Sequence, residues 1–370
     1  MKRTKTAFIA PALVTLVLIL GLPILFESIR ERNEKEMEEM STFLAASLQI
    51  GMQADSSIVA ASVSLVETGN GKNPYSSFLA YRWDKPELMD FDYCIDRIPV
   101  VPAGMMQGPT VTFFMDKKCI TADGLIPTSK GILPGIHLDS WGHDRDDHVF
   151  SYEITSGKDS ISVRDGFLMS SHYVSAKIAL DHDCYWREYL DKFDDYFGSS
   201  DAYYVPNVWN GRLIKDKYTS VADGLAIHLS QWQVLRFYDS IANGGVRPRH
   251  RYLRRRRICS SETAEEMKYL LRENVTNGTG RLLAGHPARI AGKTGGGIMY
   301  DGYIPGARNQ IQVPVWVSSF VGFFPVESPK YTMCVTVYYN NAEPRNATAP
   351  MRLFGEIADD MLKEGMLWKK

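Results

Sequence analysis

Apolar residues fall along this chain in three rhythms, and each predicts a different element. Residues 7–26, AFIAPALVTLVLILGLPILF, carry no charge at all. As a helix such a run spans about 30 Å, the hydrocarbon thickness of a bilayer. Residues 27–50 begin with the charged run ESIRERNEKEMEEM, pass into STFLAASLQI and hold almost no Gly or Pro, so they read as a helix continuing from the first. A second rhythm, short runs rich in Val, Ser, Phe and Tyr, recurs at IVAASVSLV (58–66) and SFLAYRW (77–83), separated by ETGNGKNP. It returns at ARIAGKTG, VWVSSFVGFF and YTMCVTVYY, and predicts strands, with PVESPK as a hairpin turn. The third rhythm is helical. It predicts a helix from Ser162 to Leu180 with Ser162 as N-cap and Asp165 placed for a capping box. Others run from Leu225 to Asn243, ended by Gly244-Gly245, from Ser261, and from Pro350, where Met351, Phe354, Ile357, Ala358 and Met361 share one face. Residues 84–160, rich in Pro, Gly and Asp, read as irregular.

Strands at both ends with helices between predict one α+β domain whose sheet gathers N- and C-terminal strands. Lys2, Arg3 and Lys5 precede the uncharged run, which predicts a cytoplasmic N-terminus and the remaining chain outside the cytoplasm. The run reads as an uncleaved anchor rather than a signal peptide, because it is long and ends in FESIRER instead of a small-residue cleavage site. The chain thus divides into a cytoplasmic tip and anchor (1–26), a helical linker (27–50) and a domain (51–370).

Composition narrows this only a little. Lys+Arg 42 nearly balances Asp+Glu 43, so no bulk charge points to nucleic acid. Cys94, Cys119, Cys184, Cys259 and Cys334 are dispersed, with no CxxC, and make neither a disulfide framework nor a zinc site.

The candidate chemistry lies in an ordered series of motifs. SISVRDGFLMSSHYVSAKIAL, LSQWQVLRFYDSIANGG, SETAEEMKYLLRENVTNGTG, AGKTG, SSFVGFFPVESPKY and ATAPMRLFGEIADDML follow one another along the chain. In that order they resemble the transpeptidase domain of class B penicillin-binding proteins, from about Ser57 to Leu362. The resemblance implies a β-lactamase-like fold, an antiparallel sheet with helices on both faces plus an all-helical part. It implies a place in peptidoglycan metabolism and neither cofactor nor metal. The partners it implies are the membrane, wall-synthesis or division proteins, a membrane glycosyltransferase among them, and peptidoglycan stem peptide. One departure is plain: the family usually carries a large non-catalytic domain after its anchor, and here only residues 27–57 separate Phe26 from the first predicted strand.

Such enzymes use three clusters. A Ser-x-x-Lys supplies the nucleophile and a lysine to manage its proton, a Ser-x-Asn assists, and a Lys-Thr-Gly strand binds the substrate carboxylate. Members commonly carry Pro-x-Gly-Ser-x-x-Lys-Pro at the first cluster. Here Pro102-Ala103-Gly104-Met105-Met106-Gln107-Gly108-Pro109 fits that frame with Met105 at the serine and Gly108 at the lysine. No serine anywhere in the chain has a lysine three residues later. A thioether makes no acyl intermediate and glycine replaces no amine, so acyl transfer is expected to be lost. The second cluster reads Ser170-Ser171-His172; His172 can still bind by hydrogen bonds, or be a partly buried helix terminus. Lys293-Thr294-Gly295 is intact, and is either a carboxylate site or a strand kept because Gly295, Gly296 and Gly297 permit close packing.

Met105 is expected to start a helix beside Thr294, Ser170 and His172 and to fill the old pocket. Lys293 is expected to turn to solvent, a carboxylate or a carbonyl, because an unpaired buried ammonium is costly. Three functional classes follow: a scaffold or binding module without catalysis, an active D,D-transpeptidase or carboxypeptidase with a displaced nucleophile, and a non-covalent sensor of wall peptides or β-lactams. HLDSWGHDRDDH (137–148) holds metal-ligating residue types at no standard spacing and reads as a solvated loop. RPRHRYLRRRR (247–257) reads as a solvated edge strand blunted by charge. Asn274, Asn277 and Asn346 sit in N-x-T sequons.

Overall fold

The computed structural model describes residues 9–71, 74–81, 88–90, 99–128, 132–133, 148–149, 159–197, 221–222, 224, 227, 229–249, 254–299, 315–339 and 348–367. Helix α1 covers Ile9–Gln53. The chain divides into two compact units, Met1–Phe43 and Leu44–Lys370. In the first, Arg30 pairs with Glu34 and Lys35 with Glu39 one turn apart on exposed helix. Among the described residues no helix is long and apolar enough to cross a membrane. The side chains of residues 9–26 lie outside the described ones, so the anchor stays an expectation of the sequence.

The second unit starts inside the segment read as a linker. Leu44, Leu48 and Met52 are fully buried there, and Ser47 donates to Asp360 Oδ2 at 3.2 Å. A six-stranded antiparallel sheet follows. Its strands are β1 (Ile58–Glu67), β2 (Tyr75–Tyr81), β3 (Leu88–Asp90), β4 (Ala291–Met299), β5 (Val315–Phe324) and β6 (Tyr331–Tyr339). The spatial order is β4-β5-β6-β1-β2-β3. The N-terminal strand therefore lies beside the C-terminal one, as predicted, with Val63 opposite Val335. Nearly every position of β1 and β6 is buried, because helices cover both faces. That is why the polar positions in these strands are small hydroxyl residues, Ser62, Ser64, Thr332 and Thr336, all buried. On β5, Phe320 and Phe324 meet Phe354 edge-on. Val321 and Phe323 point the other way, into a core shared with Leu235 and Tyr238.

Helices α2 (Gln107–Asp116), α3 (Val163–Leu168), α4 (His172–Asp181), α5 (Gln231–Ala242), α6 (Ser261–Asn277) and α7 (Ala349–Lys363) surround the sheet. Two predicted helices are corrected. The one expected over Ser162–Leu180 is two helices: Ser162 caps α3 by accepting from Asp165 N, as predicted, and Ser171 caps α4 by accepting from Val174 N. Between them Ser170 adopts φ +56, which no helix allows. The helix expected from Leu225 starts at Gln231, where Ser230 and Gln233 form a capping box. Its end is as predicted, with Gly244 and Gly245 at φ +66 and +77. Residues 84–160 are not wholly irregular, since α2 lies there. Of HLDSWGHDRDDH only His148 is described. In the basic run Arg256 and Arg257 are exposed and pair with Val246-Arg247, while Arg256 also binds the Asp195 carboxylate at 2.6 Å. Asn274 is buried completely.

Every residue of α5 is buried, so its polar side chains need protein partners. Gln231 bonds to Ser64 Oγ and to Cys334 O, both at 2.9 Å. Arg236 donates to Phe197 O. Asp239 accepts from Gly69 N at 3.2 Å and Thr332 Oγ1 at 3.3 Å. Burial therefore pushes its carboxyl up to about 7. The sign follows from linkage. The unfolded carboxyl ionises near pH 4 and the folded one only near pH 7, so stability is full below pH 4 and falls as pH rises to about 7. The loss across that window is on the order of 4 kcal/mol. Asp239→Asn, which keeps the accepting oxygen, should flatten that decline. Chemical denaturation of both proteins from pH 4 to pH 8 measures it.

Candidate functional site

A short 3-10 turn, Ala103–Met106, leads into α2 and lies against the edge strand β4. Three bonds fix it: Ala103 N donates to Gly224 O at 3.1 Å, Met105 N to Pro102 O at 2.8 Å, and the buried Tyr238 hydroxyl to Met105 O at 2.7 Å. Ala103 takes φ +38, so the chain swings left before the helix begins. The turn comes so close to β4 that glycine is needed on both sides. A Cβ on Gly104 would sit 2.9 Å from Thr294 O, 3.1 Å from Ser170 Oγ and 3.4 Å from Lys293 Nζ. A Cβ on Gly295 would meet Met105 Cγ at 2.8 Å.

Ser170, held left-handed between α3 and α4, accepts a hydrogen bond from Lys293 Nζ. Lys293 is completely buried. Its ammonium stands 5.3 Å from the centre of the Phe167 ring, and burial alone lowers its pKa to about 7. Beside it runs a chain of neutral groups. Asn274 Nδ2 donates to Gly292 O at 2.9 Å, which leaves Asn274 Oδ1 to accept from Thr279 Oγ1 at 3.2 Å. Thr294 Oγ1 in turn donates to Thr279 Oγ1 at 2.8 Å. Gln107 is buried and donates from Nε2 to Ser171 O at 3.1 Å.

These groups border an open cavity of about 300 Å³. Gly104, Ser170, His172, Thr279, Thr294 and Gly295 line it, together with Trp316, Ser318, Ser319, Thr348, Pro350 and Met351. The sequence candidates Ser170, His172, Lys293, Thr294 and Gly295 are thus brought together, with Lys293 one layer beneath. The other two are not at the cleft. Met105 is 1% exposed, packs under Gly295 and does not line the cavity. It is close to the Lys-Thr-Gly strand as expected, but it does not fill the pocket. Gly108 lies beneath the Tyr238 hydroxyl, which a Cβ there would meet at 2.8 Å. The residue facing Ser170 and Lys293 is Gly104. A second expectation is corrected as well: Lys293 is buried from solvent and, among the described residues, meets neither carboxylate nor carbonyl. A serine hydroxyl is enough because burial lowers the pKa of the amine to about 7, which leaves it half deprotonated near neutral pH. Sequence reasoning missed Gly104 and Gln107. The signal was available, since the same turn can be read one residue earlier, with Pro102 directly before the small residue.

Among the described residues no group of three or more His, Cys, Asp or Glu could hold a metal ion. The chain matches the family described as "Penicillin binding protein transpeptidase domain" over residues 109–359. It belongs to that family. Solved structures agree in fold. The apo TP domain of Burkholderia pseudomallei penicillin-binding protein 3 is 18% identical, with a TM-score of 0.64 over 88% of this chain and 94% of that one. A peptidoglycan glycosyltransferase from Burkholderia ambifaria is 18% identical, with a TM-score of 0.63 over 89% and 96%. A peptidoglycan synthetase from Bifidobacterium adolescentis is 12% identical, with a TM-score of 0.64 over 90% of this chain and 60% of that one. No curated protein matched.

The close approach at Gly104 gives a direct test. Gly104→Ala places a methyl against the Thr294 carbonyl, a backbone atom that cannot swing aside. It should cost ~1–3 kcal/mol of stability, as overpacking does, read as a lower denaturation midpoint.

Proposed function

We propose that this is a peptidoglycan-associated transpeptidase-family domain that has lost the family's acyl transfer and works by binding. Gly104 carries the reading. It stands where a nucleophile would be aimed, against Ser170 Oγ and Lys293 Nζ, and has no side chain. Three residues on, where the family carries lysine, Gln107 offers an amide, which cannot take a proton from a hydroxyl at neutral pH. This assignment replaces Met105 and Gly108 as the degenerate pair. The binding half of the cleft is retained in Ser170, Thr294, Gly295 and the buried Lys293, with further hydroxyls and Trp316 in the same lining.

The ligand class we infer is a short peptide ending in a carboxylate, such as the peptidoglycan stem. The partners are proteins of wall synthesis or division, with a membrane glycosyltransferase among them. The uncharged run 7–26 and its preceding Lys2, Arg3 and Lys5 support a single-pass anchor in the cytoplasmic membrane with the domain outside.

One observation favours a rival, an active enzyme with a displaced nucleophile. Ser170 is hydrogen-bonded to a lysine whose pKa lies near 7, the pairing of a Ser–Lys dyad. Against it, the Ser170 amide N–H is spent on Phe167 O at 3.2 Å, so it is not available to a developing oxyanion.

A fluorescent penicillin decides between them. The full-length protein should carry no label after denaturing electrophoresis, whereas a stoichiometric adduct on any residue would establish the rival. The peptide N-acetyl-D-alanyl-D-alanine should bind reversibly, and a scaffold with no ligand would show no saturable binding. Reporter fusions after residue 50 should be active only with enzymes that function outside the cytoplasm; activity of a cytoplasmic reporter there would refute the topology.

A further inference from the structure

Lys293 is a cation site without an anion. Among the described residues no carboxylate reaches its Nζ, and the polar contact made is with Ser170 Oγ. Among the described residues the groups packed around it are neutral. From α3 comes the face of Phe167, and from β5 comes Val321, directly opposite in the sheet. Gly104 comes from the turn, and α6 supplies Asn274, bonded to Gly292 O. The charged neighbours on α6 are committed elsewhere: Glu273 pairs with Arg164, and Arg272 donates to Ile290 O and Ala284 O. His172 is the titratable side chain lining the cleft. No charged group contributes to the depressed proton affinity of Lys293; burial alone does.

Nζ is nevertheless one layer from the cavity. It lies 3.4 Å from the point where a Gly104 side chain would begin, and Gly104 and Ser170 both line the cleft. With no side chain at Gly104, the amine lies directly beneath two residues of the cleft lining, Gly104 and Ser170. An anion seated over Gly104 would be its first charge partner. An opposite charge at that range favours the protonated form of a desolvated amine, and the low-dielectric surroundings strengthen the attraction.

We propose that the cleft binds a carboxylate together with a proton, which Lys293 takes up as the ligand seats, so that affinity is set by pH. The inference rests on the binding reading above and adds its regulation. The sign is fixed by linkage. The free lysine is half protonated near pH 7, and the bound one holds its proton to higher pH. Affinity is therefore flat in acid and weakens above about pH 7, by up to about tenfold per pH unit.

The test is calorimetric titration of the detergent-solubilised full-length protein with N-acetyl-D-alanyl-D-alanine, in pairs of buffers with different heats of ionisation. Proton uptake should approach one per ligand near pH 8 and vanish near pH 5.5. The same peptide ending in an amide should bind with no uptake. Lys293→Arg, protonated at every pH used, should also show none. Carboxylate binding without uptake overturns this inference alone, as does uptake that persists in Lys293→Arg. Absence of binding by either peptide at any pH overturns the binding reading and this inference with it.

Discussion

The approach of the Ala103–Met106 turn to strand β4 is the constraint on which the cleft depends. The turn comes close enough that a Cβ on Gly104 would press on Thr294 O, and a Cβ on Gly295 would press on Met105. Tyr238 holds the turn from below through Met105 O, and Tyr238 belongs to a helix buried on all sides. The geometry of the cleft is thus set by the core and not by a loop free to adjust. Close packing of this kind resists the insertion of even one methyl group.

That constraint explains the state of Lys293. In a cleft with a polar side chain at position 104 the amine would have company there. Here, among the described residues, it has one hydroxyl, an aromatic face and no counter-charge, so deprotonation is the cheaper way to remain buried. The neutral chain from Asn274 through Thr279 to Thr294 is satisfied internally. It keeps the strand's hydroxyl in register at the edge of the cavity without help from the lysine. A glycine at position 104 is thus compatible with a shaped site, with a cavity of about 300 Å³ open beside it.

How much of this was legible in the sequence varied with the physics involved. The strands of the sheet were legible because strands covered on both faces are runs of apolar and small neutral residues without a charge, as IVAASVSLV and YTMCVTVYY are. The pairing of β1 with β6 followed from where those runs fell. The break at Ser170 was hidden, because the periodicity of apolar positions continues across α3 and α4 while one left-handed residue reorients the second. The start of α5 was set by Ser230 and Gln233, a local capping signal that the broader apolar pattern overrode. At the site, the Lys-Thr-Gly strand and the Ser170 segment were recognisable by residue type. The turn at 102–109 was recognised but read one residue late, since small residues and prolines fit that frame in two ways. Only three-dimensional direction separates Gly104 from Met105. The burial of Lys293 could not be read from KTG, because it depends on Phe167 and Asn274, which lie far off in sequence.

The central claim is that this cleft holds a ligand without forming a bond to it. An experimental structure of the full-length protein soaked in a penicillin tests it most directly. The account requires either an empty cleft or a drug with its lactam ring closed, resting over Gly104 with its carboxylate toward Thr294. Continuous density from an opened lactam carbonyl to Ser170, or to any other side chain, would contradict it.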